Sequence, residues 1–220
     1  MAHRIALIHA GPVSIEPVLK AFAELWPEAE CSNITDDSLM VDRAKTPELT
    51  AALAARIERL AAYGRDLGAD GVLFTCSAFG PAIEAVQRQA VWPVLKPNEA
   101  MFEAALQHGR CIGMVASFQN SIPQMEQEFR ELVAARGIAA TIRSVCVPAA
   151  LAALQAGDVA QHNRLLAEGA SRLGECDAIL LAQFSTSRAA DLVRSMIKVP
   201  VLTAPGTAVA MMKRLLLPAG

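Results

Sequence analysis

The sequence predicts an α/β protein of two similar lobes. Each lobe is a parallel sheet flanked by helices, and an active-site cleft is expected between them. Three observations carry this. Short apolar runs of strand length alternate with helix-length segments, the pattern of an α/β chain with crossover helices. The runs are continuously apolar instead of alternating, as in parallel strands covered on both faces. The two halves also align without a gap at one offset of 107 residues, an internal pseudo-repeat. Asp70–Cys76 falls on Asp177–Gln183, Pro93–Leu95 on Pro200–Leu202, Ile5–Ile8 on Ile112–Val115, and Phe22 with Glu24 and Leu25 on Phe129, Glu131 and Leu132.

Taken in order, the first lobe opens with a strand at Ile5 to His9 and a helix from about Ser14 to Trp26. A weaker strand follows near Leu39 to Val41, then a long helix from about Thr46 to Leu67, with Thr46 as N-cap and Pro47 in a first turn that tolerates its missing N–H. The strand Gly71 to Thr75 leads into a helix near Pro81, and Val94-Leu95 forms a further short strand. The second lobe repeats the order, and a last helix, Thr207 to Leu217, returns to the first. The expected division is 1–98 plus 206–220 for the first lobe and 99–205 for the second.

Composition narrows the function. Twenty Lys+Arg against 22 Asp+Glu leave a net charge of -2, without the basic excess of a nucleic-acid or anionic-membrane binder. With 53% apolar and 19% charged residues among 220, a large core is affordable and disorder is disfavoured. The opening residues lack a secretory apolar core and no run approaches a membrane span, so a cytoplasmic protein is expected. The five cysteines form no CxxC pair and the four histidines no HxxxH or HExxH spacing, so no metal is expected. No GxGxxG or GxxxxGK[ST] occurs, which weakens a dinucleotide or nucleotide reading.

Ligands of open parallel sheets bind at the carboxyl ends of strands. The repeat locates those loops at 9–14, 75–80 and 96–99, then at 116–121, 183–187 and 203–207. They carry the candidate binding residues Ser14, Thr75, Ser77, Ser117, Asn120, Gln183, Ser185 and Thr186, with His9 and Lys96 as ionisable auxiliaries. Cys76 stands out, one residue past an apolar strand and directly before a helix N-terminus, where backbone N–H groups favour a thiolate. Cys31, Cys111, Cys146 and Cys176 lie on strands or near helix ends and read as packing residues, His108 as a helix-end residue and His162 as helix surface. Phe79, Phe118 and Phe184 fall on the same loops and suggest an apolar pocket.

The paired lobes, the Thr-Cys-Ser loop at 75–77 and the matching Ala-Gln-Phe-Ser loop at 182–185 resemble the aspartate/glutamate racemase superfamily, with its hydantoin racemases, maleate isomerases and arylmalonate decarboxylases. The resemblance spans essentially the whole chain. It implies a cofactor-independent enzyme in which two cysteines face each other across a small carboxylate substrate, one taking the proton beside the carboxylate or carbonyl and the other delivering one. Many such proteins form homodimers. Cys76 matches the first cysteine, but Gln183 stands where the second is expected, and an amide exchanges no proton near neutral pH. The expected function is therefore an isomerase or racemase using Cys76. The alternatives are a single-cysteine decarboxylase of a malonate-type substrate and a non-catalytic small-molecule-binding protein.

Overall fold

The apolar runs become the central strands of two sheets in the computed structural model, which describes residues 2–46 and 48–217. The chain divides into two units, Met1–Pro97 with Ala208–Gly220 and Asn98–Thr207. In the first, β1 (Arg4–His9), α1 (Ile15–Leu25), β2 (Glu30–Thr35), α2 (Ser38–Arg43), α3 (Ala51–Asp66), β3 (Gly71–Phe74), α4 (Gly80–Gln89) and β4 (Val94–Leu95) follow in sequence. All four strands are parallel, in the spatial order β2-β1-β3-β4. The second unit contains α5 (Glu99–Ala105), β5 (Cys111–Ala116), α6 (Ile122–Ala135), β6 (Thr141–Cys146), α7 (Pro148–Gln155), α8 (Val159–Ser171), β7 (Ala178–Leu181), α9 (Ala190–Met196) and β8 (Val201–Thr203). Its parallel sheet has the order β6-β5-β7-β8, the same topology. The final helix, α10 (Ala204–Leu216), begins in the second unit and ends in the first.

Register preserves the repeat. Ile5 pairs with Gly71 on β1 and β3, and Ile112 with Ala178 on β5 and β7. Each central strand buries both faces, as its continuous apolar run requires. In the first unit Ala6, Ile8, Val72 and Phe74 pack with Leu53, Ile57, Ala61 and Ile83 of α3 and α4, while Ile5, Leu7 and Leu73 are fully buried at the alternate positions. In the second, Val115, Ile179 and Leu181 pack with Leu166, Ala167, Ala170 and Val193. Close approach of helix to sheet fixes one glycine: a Cβ at Gly64 of α3 would lie 2.8 Å from the Cβ of Ala6. Among the described residues no helix is long and apolar enough to cross a membrane.

Several expectations need correction. The segment Leu39 to Val41 is helical, part of α2, and the second strand lies earlier, at Glu30–Thr35. This edge strand buries one residue, Ile34, so it has no apolar run to betray it. The long helix starts at Ala51, capped by Thr50, whose Oγ1 accepts the Leu53 N–H at 3.3 Å; Thr46 is not the cap, and Pro47 lies outside the described residues. His162 is fully buried, its Nδ1 2.8 Å from the Ala150 carbonyl, because it shares the inner stripe of α8 with Leu166 and Ala170. The last helix starts at Ala204, three residues before Thr207.

Candidate active site

Cys76 lies two residues past the end of β3, after Thr75, and caps a 3-10 turn, Ser77–Phe79, that runs into α4. The thiol is half-buried, with its Sγ 3.5 Å from Met40 Sδ. Burial pushes its pKa up to about 11, against the Ala78 N–H and the Arg43 guanidinium, which favour the thiolate. Arg43 is held at the loop by its own bonds to the Ala78 carbonyl, at 3.3 Å, and the Thr46 carbonyl, at 2.7 Å. At neutral pH the resting group is thus a thiol, an acid with a proton to give.

This fixes the pH dependence of Cys76 reactivity, since only the thiolate alkylates. Iodoacetamide labelling, followed by peptide mass spectrometry, is expected to keep rising through pH 10. Half-maximal labelling at or below about 8.5, the value of an unperturbed thiol, would contradict the burial argument.

Behind Cys76, β1 and β3 are joined by a closed polar cluster. His9, Ser14 and Thr75 are all buried, at 0%, 6% and 7% exposure. The His9 Nδ1 lies 3.0 Å from Ser14 Oγ and 2.9 Å from Thr75 Oγ1, and the two hydroxyls are 2.9 Å apart. His9 Nε2 lies 2.9 Å from Asn33 Oδ1, so the ring donates there, and Nδ1 accepts from a hydroxyl. Burial lowers the His9 pKa, opposed by the Asn33 bond, and the ring is a neutral anchor. Thr75 also bonds the Ile8 carbonyl, at 3.2 Å through its hydroxyl and at 3.0 Å through its backbone N–H. The structure therefore brings His9, Ser14 and Thr75 together as the brace behind the cysteine loop, while Ser77 stands half-buried on the turn itself.

The second unit repeats the brace with different chemistry. At the place of Cys76, the Gln183 Oε1 accepts from the Ser117 N–H and hydroxyl, each at 2.8 Å, and its Nε2 donates to Ser121 Oγ at 3.1 Å. Thr186, fully buried, accepts the Gln183 N–H at 3.2 Å and donates to the Gln183 carbonyl at 2.7 Å. Ala116 stands where the first unit has His9, and Gln183 does the tying that His9 does there. Ser185 is buried in the following turn, whereas Asn120 is exposed.

Other expectations fare differently. Lys96 is paired with Glu84 at 2.7 Å on α4. Phe79 belongs to the first unit's core and Phe184 is 2% exposed, so neither presents the open apolar wall suggested for them; Phe118 is part-exposed. Sequence reasoning missed Arg43 and Met40, which sit on the helix read as a strand. It also missed Asn98, fully buried after the β4 loop, whose amide oxygen and nitrogen have no hydrogen-bonding partner among the described residues.

The family model described as Asp/Glu/Hydantoin racemase matches residues 15–141. Solved structures share the fold at low identity. A glutamate racemase isoform from Bacillus anthracis gives a TM-score of 0.75 at 14% identity, over 97% of this chain and 81% of that one. A glutamate racemase from Francisella tularensis, in complex with D-glutamate, gives 0.72 at 13% identity, over 97% and 81%. Allantoin racemase from Klebsiella pneumoniae gives 0.67 at 21% identity, over 98% and 88%. No protein of curated function matches the sequence.

Proposed function

Because the chain belongs to the Asp/Glu/Hydantoin racemase family, we propose that it is a cofactor-independent, racemase-type isomerase that moves a proton at the carbon beside a carboxylate or carbonyl of a small substrate, with Cys76 as the proton-transfer group. The observation that carries this reading is the placement of Cys76 at the carboxyl end of β3, on a turn whose Ala78 N–H favours the thiolate and beside an Arg43 held at the loop. A carbon acid is made reactive by donors that hold the enolate oxygen. The Ser77 hydroxyl and the turn's N–H groups are the local candidates, each such donor commonly worth about 3 kcal/mol in the transition state. Isomerisation begins when the thiol gives its proton to water, which the Ala78 N–H and Arg43 assist by favouring the thiolate. The thiolate then takes the proton beside the carboxylate, leaving an enolate with Cys76 again a thiol, and hydronium or water on the opposite face gives that carbon a proton with inversion. A carboxylate substrate is supported by the D-glutamate bound to the Francisella tularensis relative.

A second reading has its own observation in favour. Gln183, at the place matching Cys76, is an amide with both ends engaged, so the repeat supplies one proton-transfer group and not two. One thiol suffices for decarboxylation of a malonate-type substrate. The bond to the departing carboxylate breaks, carbon dioxide leaves with the electron pair remaining as an enediolate, and Cys76 gives that carbon its proton. Water then restores the thiol. A thiol titrating at about 11 suits this donor role.

The test is a panel of enantiopure aspartate, glutamate, hydantoins and allantoin, with prochiral aryl- and alkylmalonates. Loss of optical rotation at constant mass supports the isomerase. Carbon dioxide release from a malonate, with one enantiomer formed, supports the decarboxylase. Turnover of none of them, by protein that is folded, overturns the enzymatic reading in favour of a binding protein.

A further inference from the structure

The opposite end of the second sheet carries a thiol pair that the chemistry above does not use. Side chains alternate along a strand, so Cys111 and Gly113 of β5 point to one face. In register on β6, Thr141 lies beside Cys111 and Arg143 beside Gly113, on that same face. The space above Gly113 is taken by three side chains: a Cβ at position 113 would lie 2.7 Å from Ile179 Cδ1, 2.9 Å from Leu173 Cδ1 and 3.1 Å from the Cys176 Sγ. Cys176 sits in the turn before β7, next to Asp177, whose N–H bonds the Cys111 carbonyl at 2.7 Å. Both sulfurs therefore lie over the same stretch of β5.

The Arg143 guanidinium donates from Nη2 to the Cys111 Sγ at 2.9 Å and also bonds the Glu175 carbonyl. It holds the Cys111 thiol below the ordinary range, whereas burial leads the causes that raise Cys176. Asp177 adds negative charge nearby, but its carboxylate is engaged by the Arg110 and Cys111 N–H groups at 2.7 and 2.8 Å. Cys111 is part-exposed and Cys176 buried. One part-exposed thiol beside a guanidinium and one shielded thiol is the division of labour of an attacking and a resolving cysteine.

We propose that Cys111 and Cys176 are a redox-active pair that hydroperoxides convert to an intramolecular disulfide. The Cys111 thiolate attacks a peroxide oxygen, the O–O bond breaks, and sulfur is oxidised by two electrons to the sulfenic acid while the peroxide is reduced to hydroxide or alkoxide. The Cys176 sulfur then attacks Cys111, the S–S bond forms, the S–O bond breaks, and water leaves with the Cys176 proton. Two thiols and one hydroperoxide give one disulfide and, for hydrogen peroxide, two waters. A side chain at position 113 would press on the Cys176 sulfur as well as on Ile179 and Leu173.

The test treats the full chain with hydrogen peroxide at pH 7, blocks remaining thiols with iodoacetamide, and maps peptides by mass spectrometry without reduction. The expected product is a Cys111–Cys176 cross-linked peptide, two hydrogens lighter than the parts, that thiol reductant releases. Cys176→Ser should stop at the sulfenic acid, trapped by dimedone at Cys111 about tenfold faster than at Cys146. Arg143→Met should slow the reaction by about the same factor. Wild-type protein in which Cys111 and Cys176 both remain alkylatable after peroxide, or in which Cys111 joins a second chain instead, would overturn the proposal without any variant being needed.

Discussion

Cys76→Ala is expected to lower kcat by about 10³-fold on the substrate identified by the panel, with KM changed by no more than about threefold. The thiol is the proposed proton-transfer group, and proton transfer by a placed side chain is worth this much when removed. Binding is kept because the turn's N–H groups and Ser77 do not depend on the sulfur. The fold is kept too, since the brace of His9, Ser14 and Thr75 does not include Cys76. Cys76→Ser should recover little, because a hydroxyl is a far weaker acid than a thiol. Steady-state kinetics with a thermal melt as control distinguishes this from unfolding; a Cys76→Ala protein within about tenfold of wild type would remove Cys76 from the chemistry.

His9→Leu is expected to cost about 2 kcal/mol of stability, roughly 4–8 °C in Tm, from the lost bonds of a fully buried imidazole to Ser14, Thr75 and Asn33. The pH dependence gives a signature that a packing defect alone would not. Burial depresses the folded His9 pKa below 6.5, so the unfolded chain takes up a proton first as pH falls. The stability that His9 confers is complete above about 6.5 and is lost as pH falls through the lower, folded value. Urea melts from pH 8 to 5 should show wild type losing stability faster than His9→Leu. Parallel slopes for the two proteins would contradict a neutral, buried His9.

How much of this was legible in the sequence follows from where each signal lives. Strands β1, β3, β5 and β7 are buried on both faces, and their apolar runs reveal them; β2 lies at a sheet edge with a single buried residue and leaves no such trace. Cys76 was legible because strand end, thiol and helix start are neighbours in sequence. Arg43 was not, since it reaches the same loop across more than thirty residues from a helix that reads as a strand. The substitution of Gln183 for a cysteine was plain from the repeat, but its engagement with Ser117 and Ser121 depends on contacts more than sixty residues apart. The placement of Cys176 over β5 is likewise a matter of register, which the spacing of cysteines does not encode. His162 could have been found: it falls at i, i+4 and i+8 with Leu166 and Ala170, a stripe that faces the core.

One thiol, Cys76, is proposed to move the proton. The most direct measurement is proton NMR of the substrate panel in deuterium oxide, with wild type and Cys76→Ala side by side. Wild type is expected to introduce deuterium at the carbon beside the carboxylate or carbonyl of a turned-over compound, and Cys76→Ala to introduce none on the same timescale. Equal deuterium incorporation by the two proteins would contradict it, and would assign the proton transfer to a group other than Cys76.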